Sequence, residues 1–168
     1  MKRLFLLRHG KAGFGASDRI RPLKRRGQQD AFWLGQNLKK QNILPDYILC
    51  SSATRATQTL AQFQTGSELT FPAVFQDDLY LASATYMLQE IRKLGPDVTA
   101  AMIIAHNPGL ATLFQDLVHK IPKKKNLLKY SPGTVTILDF DITDWAAIIH
   151  RAGRLIAGII PSERKGEP

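Results

Sequence analysis

Leu4-Phe5-Leu6-Leu7-Arg8-His9-Gly10 is the stretch that decides the fold. Its first four residues are apolar without polar alternation, the pattern of a strand buried on both faces, as in a parallel sheet. Arg8-His9-Gly10 then turns abruptly polar, and residues 10–21 read as a loop. Pro22 opens a helix over 23–41, with Leu23, Ala31, Phe32, Leu34 and Leu38 on one face. Gly27 and Gly35 weaken that helix by about 1 kcal/mol each relative to alanine.

The same alternation recurs along the chain. Tyr47-Ile48-Leu49-Cys50 reads as a second buried strand, and Ser51 or Ser52 is placed to cap a helix over 53–64. A strand over 69–75 precedes a helix over 84–94 that Gly95-Pro96 closes. Residues 99–105 form the most apolar strand, and Pro108 suits the first turn of a helix reaching about His119. Residues 134–140 and 145–149 read as two late strands around a turn at 141–144. The expected fold is α/β: a three-layer sandwich with a mostly parallel central sheet, one antiparallel edge strand and helices on both faces. A single domain over 1–160 is expected, followed by a polar, mobile tail over 161–168.

Composition narrows the chemistry. A formal net charge of +9 over 168 residues favours an anionic partner. One cysteine, Cys50, excludes a disulfide within the chain and Cys-rich zinc sites. The apolar run before Arg8 is too short for the core of a signal peptide, roughly 7–15 residues. The other apolar runs fall far short of the ~20 that span a bilayer. A cytoplasmic protein without a membrane or nucleic-acid partner is expected. The basic stretch over 122–129 carries no interleaved aromatics to stack on bases, so it reads as a solvated loop or as a dock, through residues 123–125, for an acidic phosphoprotein.

Three polar segments follow predicted strands: Arg8-His9-Gly10, Ser52-Ala53-Thr54-Arg55 and His106-Asn107. In open α/β sheets, ligands sit beyond the carboxyl ends of the strands. Two arginines and two histidines would therefore meet in one place, and an anion stabilises such a gathering. Phosphate suits it because a guanidinium presents a fork of donors to its oxygens.

At this point the sequence resembles the histidine phosphatase superfamily, and within it the SixA-type phosphohistidine phosphatases. The resemblance is carried by Leu7-Arg8-His9-Gly10-Lys11-Ala12, Ser17-Asp18-Arg19-Ile20-Arg21-Pro22-Leu23, Gly27, Ser51-Ser52-Ala53-Thr54-Arg55-Ala56-Thr57-Gln58-Thr59 and Ala105-His106-Asn107-Pro108, in order. It implies that His9 attacks phosphorus and forms a phosphohistidine intermediate that water hydrolyses. It also implies that Arg8, Arg55 and His106 hold the non-bridging oxygens, and that Arg21 reaches the same pocket from the first loop. Asn107 and Ser17 are helpers by the same resemblance. No metal and no cofactor are implied.

Larger members of the superfamily carry a carboxylic acid after the third strand to protonate the leaving group. Here the corresponding stretch, Asp77-Asp78-Leu79-Tyr80-Leu81, is apolar at the expected position. Asp18 is the other candidate proton donor. A missing acid matters greatly for an alkyl phosphate and little for a phosphoramidate, whose nitrogen leaves readily. The expected substrate is therefore phosphohistidine or a small phosphate ester such as an aryl phosphate; the resemblance implies a histidine-containing signalling or phosphocarrier domain as the bearer of the phosphohistidine. The alternatives are a small-metabolite phosphatase, a phosphoglycerate mutase-like phosphotransferase, or a non-catalytic phosphate-dependent binding module. Cys50 and Arg55 bracket too short a loop, without glycine, for tyrosine-phosphatase chemistry, so Cys50 reads as a small apolar strand residue.

Overall fold

The computed structural model describes residues 1–164 of the chain. Strands β1 (Lys2–Arg8), β2 (Tyr47–Ser51), β3 (Ala73–Gln76), β4 (Ala100–Ala105), β5 (Val135–Phe140) and β6 (Arg154–Ile159) form one sheet in the order β3-β2-β4-β1-β5-β6. The first four strands are mutually parallel. β5 runs antiparallel to β1, and β6 pairs antiparallel with β5 at the edge.

The unbroken apolar run of β1 is explained by its central position. Leu4 and Leu6 face a core built with α3 (Ala84–Arg92), α4 (Gly109–Leu117) and the short α5 (Lys125–Lys129). Phe5 and Leu7 face a second core built with α1 (Arg25–Lys40) and α2 (Thr54–Ser67). All four side chains are fully buried, and burial of each is worth about 1.5–3 kcal/mol.

The helix-weakening glycine at position 35 has a packing reason. A Cβ on Gly35 would lie 2.2 Å from the Phe63 carbonyl oxygen, and one on Gly66 would lie 1.9 Å from that of Phe32. Facing glycines let α1 and α2 touch backbone to backbone.

Three expectations from the sequence change. Residues 145–149 are not a strand. Trp145–Ala147 is a 3-10 turn whose first backbone groups are capped by Asp144, which accepts from Ala146 N at 2.9 Å. Trp145 is wholly buried and donates its indole N–H to the Val98 carbonyl at 2.7 Å, an anchorage that a strand there would not provide. The edge strand is formed instead by Arg154–Ile159. β3 begins at Ala73 because residues 69–71 wrap the end of α2, where Leu69 N donates to the Gln64 carbonyl and Phe71 N to the Gln64 side chain. The segment over 161–168 also differs in part. Pro161–Glu163 forms a 3-10 turn, and Arg164 reaches Asp30 of α1 at 2.6 Å and lies over the Trp33 ring. Residues 165–168 lie outside the described residues.

The basic loop leads into α5, and Lys124 of that loop pairs with Glu163 at 2.8 Å. Among the described residues, no helix is long and apolar enough to cross a membrane.

Candidate active site

Arg8 and Ala105 are register partners at the carboxyl ends of β1 and β4. The residues that follow them, His9 and His106, are therefore neighbours, with ring centroids 5.0 Å apart. Arg55 enters from the first turn of α2, whose N-cap is Ala53 rather than Ser51 or Ser52. The loop after β1 is held down by Gly10 N donating to Thr59 Oγ1 at 2.9 Å. The first turn of α1 lies directly on this loop: a Cβ on Gly27 would stand 2.4 Å from the Lys11 carbonyl oxygen.

His9, Arg55 and His106 are each less than a tenth exposed and, with Arg8, line an open cleft of about 450 Å³. Lys11, Ala12, Asp18, Arg21, Leu81, Asn107 and Pro132 complete its wall. His9 Nδ1 lies 2.8 Å from the Gly10 carbonyl oxygen, an acceptor, so Nδ1 carries the proton. The lone pair of Nε2 is left available, and Arg55 Nε donates toward it at 3.2 Å. Burial holds the His9 pKa down to about 3, opposed by the Gly10 carbonyl and reinforced by His106, Arg55 and Arg8. Burial likewise holds His106 at about 4, with Arg55 and Arg8 also lowering it and Asp18 raising it. Both rings are neutral at pH 7, the state a nitrogen nucleophile requires.

Several polar atoms around these rings have no protein partner. Arg8 spends Nη1 on the Tyr130 carbonyl at 2.9 Å, and Asn107 Nδ2 shares that oxygen at 3.1 Å. Arg8 Nε, His106 Nδ1 and Asn107 Oδ1 are buried and unpaired. Buried unpaired polar atoms are costly; the two donors among them, Arg8 Nε and His106 Nδ1, belong to residues that line the cleft and fit a ligand rich in acceptor oxygens, whereas Asn107 Oδ1 is an acceptor. Burial, then Arg55, lowers the Arg8 pKa, and an anion would relieve that repulsion. Among the described residues, no group of three or more His, Cys, Asp or Glu is placed to hold a metal ion.

No family model matches the chain. An uncharacterized protein of Mycobacterium tuberculosis is 37% identical over 109 residues, a match spanning 64% of this chain and 66% of that protein. The solved structure of the protein assigned as the phosphohistidine phosphatase SixA of Nakamurella multipartitia shares 25% identity. It has a TM-score of 0.83 over 95% of this chain and 96% of its own. Its Agrobacterium tumefaciens counterpart shares 26% identity, with a TM-score of 0.75 over 95% and 98%. The chain belongs to the histidine phosphatase superfamily. These likenesses support a phosphatase function.

Within this cleft, the arrangement of the candidate acids differs from the expectation. Asp18 is not set up as a proton donor. Its Oδ2 accepts from the Tyr80 hydroxyl at 2.5 Å and from Arg55 at 3.0 Å, and its Oδ1 accepts from Arg21 at 2.9 Å. Tyr80 first, then Arg21 and Arg55, hold its carboxyl well below the usual carboxylate range. Asp77 is turned onto Ser52 and Arg19 and does not line the cleft. Leu81 lines it instead, with φ at +52°. Arg21 reaches the cleft wall, braced by the Gly13 carbonyl at 2.7 Å. Ser17 precedes the turn over Asp18–Ile20 without a side-chain cap bond.

Two contributors are not evident from the sequence. Ser51 Oγ lies 2.7 Å from His106 Nε2 and accepts weakly from Ala53 N at 3.3 Å, which leaves its own proton for the ring. That places the His106 proton on Nδ1, the unpaired atom. Tyr80 packs edge-on to His106 with centroids 5.4 Å apart while its hydroxyl holds Asp18. Cys50 is buried in β2 with its thiol pushed up to about 12 by burial, in keeping with a plain apolar role.

Proposed function

We propose that this chain is a phosphatase that hydrolyses phosphohistidine on a protein through a phosphohistidine intermediate on His9. The observation carrying this reading is the state of His9: its Nδ1 proton is fixed on Gly10, its Nε2 is unprotonated and accepts a long hydrogen bond from Arg55, and a second guanidinium, that of Arg8, lines the same cleft. Attack by Nε2 forms a new P–N bond as the bond from phosphorus to the leaving group breaks, while Arg8, Arg55, Arg21 and His106 take up the charge on the equatorial oxygens; water then displaces His9 from phosphorus, releasing inorganic phosphate. Asn107 steadies Arg8 through their shared Tyr130 carbonyl. The arginines supply the positive field and neutral His106 a hydrogen-bond donor, so the proposed step calls on no metal and no cofactor. The cytoplasm, where histidine-phosphorylated signalling domains reside, is the proposed location.

The absence of an acid other than Asp18 along the described cleft wall favours leaving groups that depart without protein protonation. Phosphohistidine and aryl phosphates meet that condition; sugar and other alkyl phosphates do not.

The test is a mixing experiment with a phosphohistidine peptide and p-nitrophenyl phosphate, quenched in alkali. The wild type should turn over both and carry a base-stable, acid-labile phosphoryl group on His9, and His9→Ala should do neither. A sugar phosphate hydrolysed faster than the phosphohistidine peptide, or turnover surviving in His9→Ala, would overturn the reading.

A further inference from the structure

In an in-line displacement the attacking and leaving atoms lie on opposite sides of phosphorus. His9 is 7% exposed and forms the floor of the cleft. A phosphoryl group taken by its Nε2 therefore sends its leaving group outward, to the mouth. The side chains at the mouth, rather than the cage at the floor, meet the group that departs.

One carboxylate lines that cleft among the described residues: Asp18, whose side chain is 46% exposed. A carboxylate has about four acceptor positions. Arg21 uses one on Oδ1, and Arg55 and Tyr80 use two on Oδ2. One position on Oδ1 is left. The main-chain oxygen of Asp18 also accepts from Arg55 at 2.5 Å, so the residue is anchored through its backbone as well as its side chain. The neighbouring Arg19 ties the same turn to Ser52 at 2.7 Å and to Asp77 at 2.5 Å. A fixed acceptor at the mouth of a strongly basic cleft is unexpected if its sole purpose is to bind phosphate, because it competes for the same guanidinium donors.

We propose that Asp18 selects the leaving group: its carboxylate accepts a hydrogen bond from the N–H of a departing nitrogen base. The substrate class is then phosphoramidates whose leaving group carries such an N–H, phosphohistidine among them. This rests on the reading that His9 is a phosphoryl acceptor.

The step balances without an acid from the protein. The substrate ring is an imidazolium, phosphorylated on one nitrogen and protonated on the other. The His9 Nε2 lone pair forms the new P–N bond. The old P–N bond breaks, and its electron pair returns to the substrate nitrogen that bore phosphorus. The remote nitrogen keeps its proton, hydrogen-bonded to Asp18, so a neutral imidazole leaves. Asp18 favours the protonated ring before the transfer, which makes it a better leaving group. An alkoxide or aryloxide offers Asp18 no N–H and gains nothing from it; an aryloxide is a good enough leaving group to depart unaided, and an alkoxide is not.

The experiment measures kcat/KM of the full chain on a phosphohistidine peptide and on p-nitrophenyl phosphate, which has no N–H to offer. Asp18→Asn keeps the shape of the side chain and its acceptor oxygen toward Arg55. The ratio of phosphohistidine to aryl phosphate activity is expected to fall at least tenfold in Asp18→Asn and to recover in part in Asp18→Glu. Thermal unfolding of each variant verifies that the half-exposed substitution leaves the protein folded. Equal losses on the two substrates would mean that Asp18 merely positions Arg55, and would overturn the proposal. A wild type active on the aryl phosphate but inactive on the phosphohistidine peptide would overturn the proposed substrate and this inference together. A wild type active on both, with an unchanged ratio in Asp18→Asn, would overturn the inference alone.

Discussion

Arg55 donates from Nε to His9 Nε2 at 3.2 Å, so the ring nitrogen that the Gly10 carbonyl leaves free already faces a cationic donor. An incoming phosphoryl group takes over that donor and meets the lone pair behind it. Arg55 performs three tasks at once, since it also holds the Asp18 main chain and carboxylate. Lysine offers a point charge and cannot reproduce this fork. Arg55→Lys is expected to lower kcat/KM on p-nitrophenyl phosphate by about 10²–10³, the usual effect of losing one transition-state donor. Activity within threefold of wild type would show that the guanidinium geometry is dispensable.

The acid limb of the pH profile follows from the neutral histidines. kcat/KM reports the free enzyme, in which His9 and His106 titrate at about 3 and about 4. Corrected for substrate ionisation, kcat/KM should lose nothing to His9 protonation between pH 5 and 8. An acid limb near pH 6.5 that vanishes on His106→Gln would contradict this assignment.

Stability carries the same signature with a definite sign. Both histidines have folded pKa values below the unfolded value of about 6.5, so below that pH the unfolded chain binds protons that the folded chain refuses. Their contribution is full above pH 6.5 and drains away as pH falls toward about 4 and then about 3. Tm should drop as pH is lowered from 7 to 4.5. Saturating inorganic phosphate should recover part of the loss by binding the folded state. Differential scanning fluorimetry across that range, with and without phosphate, checks both.

Ser51→Ala removes the hydroxyl 2.7 Å from His106 Nε2 while leaving a small residue at a fully buried strand end. A lost buried hydrogen bond is worth about 1–3 kcal/mol, so kcat should fall roughly tenfold with KM little changed. A loss confined to KM would place the Ser51 effect on substrate binding rather than on the orientation of the imidazole.

Helix propensity alone says that Gly35→Ala should stabilise α1 by about 1 kcal/mol. The packing predicts the opposite, because the added methyl would stand 2.2 Å from the Phe63 carbonyl oxygen of α2. Overpacking of this kind costs about 1–3 kcal/mol, and each kcal/mol moves Tm by about 2–4 °C in a domain of this size. A Tm unchanged or raised would show that the two helices can part without penalty.

The polar segments after β1, β2 and β4 were legible because each follows an apolar run with both faces buried, and the register of Arg8 with Ala105 turns that sequence pattern into adjacency. Ser51 and Tyr80 were harder to read. A serine at a strand end and a tyrosine in a short turn are common, and their roles depend on His106 and Asp18, which are 55 and 62 residues distant in the chain. The displaced last strand has a similar cause. Trp-Ala-Ala-Ile-Ile over 145–149 has the composition of a strand, but the indole N–H needs an acceptor, and Val98 supplies it from the far end of another loop. Likewise the loss of helix propensity at Gly35 was visible, whereas its compensation lies in Gly66 on a neighbouring helix.

The strand that carries Arg8 toward the site lies in the middle of the sheet, between β4 and β5. During synthesis on the ribosome, β1 emerges long before either partner exists. At roughly 5–20 residues per second, about 5–20 s separate it from β4, and β5 follows later still. Throughout that interval the apolar run 4–7 of β1 has no hydrogen-bonding edge to join. The Tyr130 carbonyl that orients Arg8 arrives only after β4 has been made. His9 is thus translated long before the cage around it can close, and a nascent chain stalled before residue 130 would carry His9, Arg55 and His106 without the carbonyl that orients Arg8.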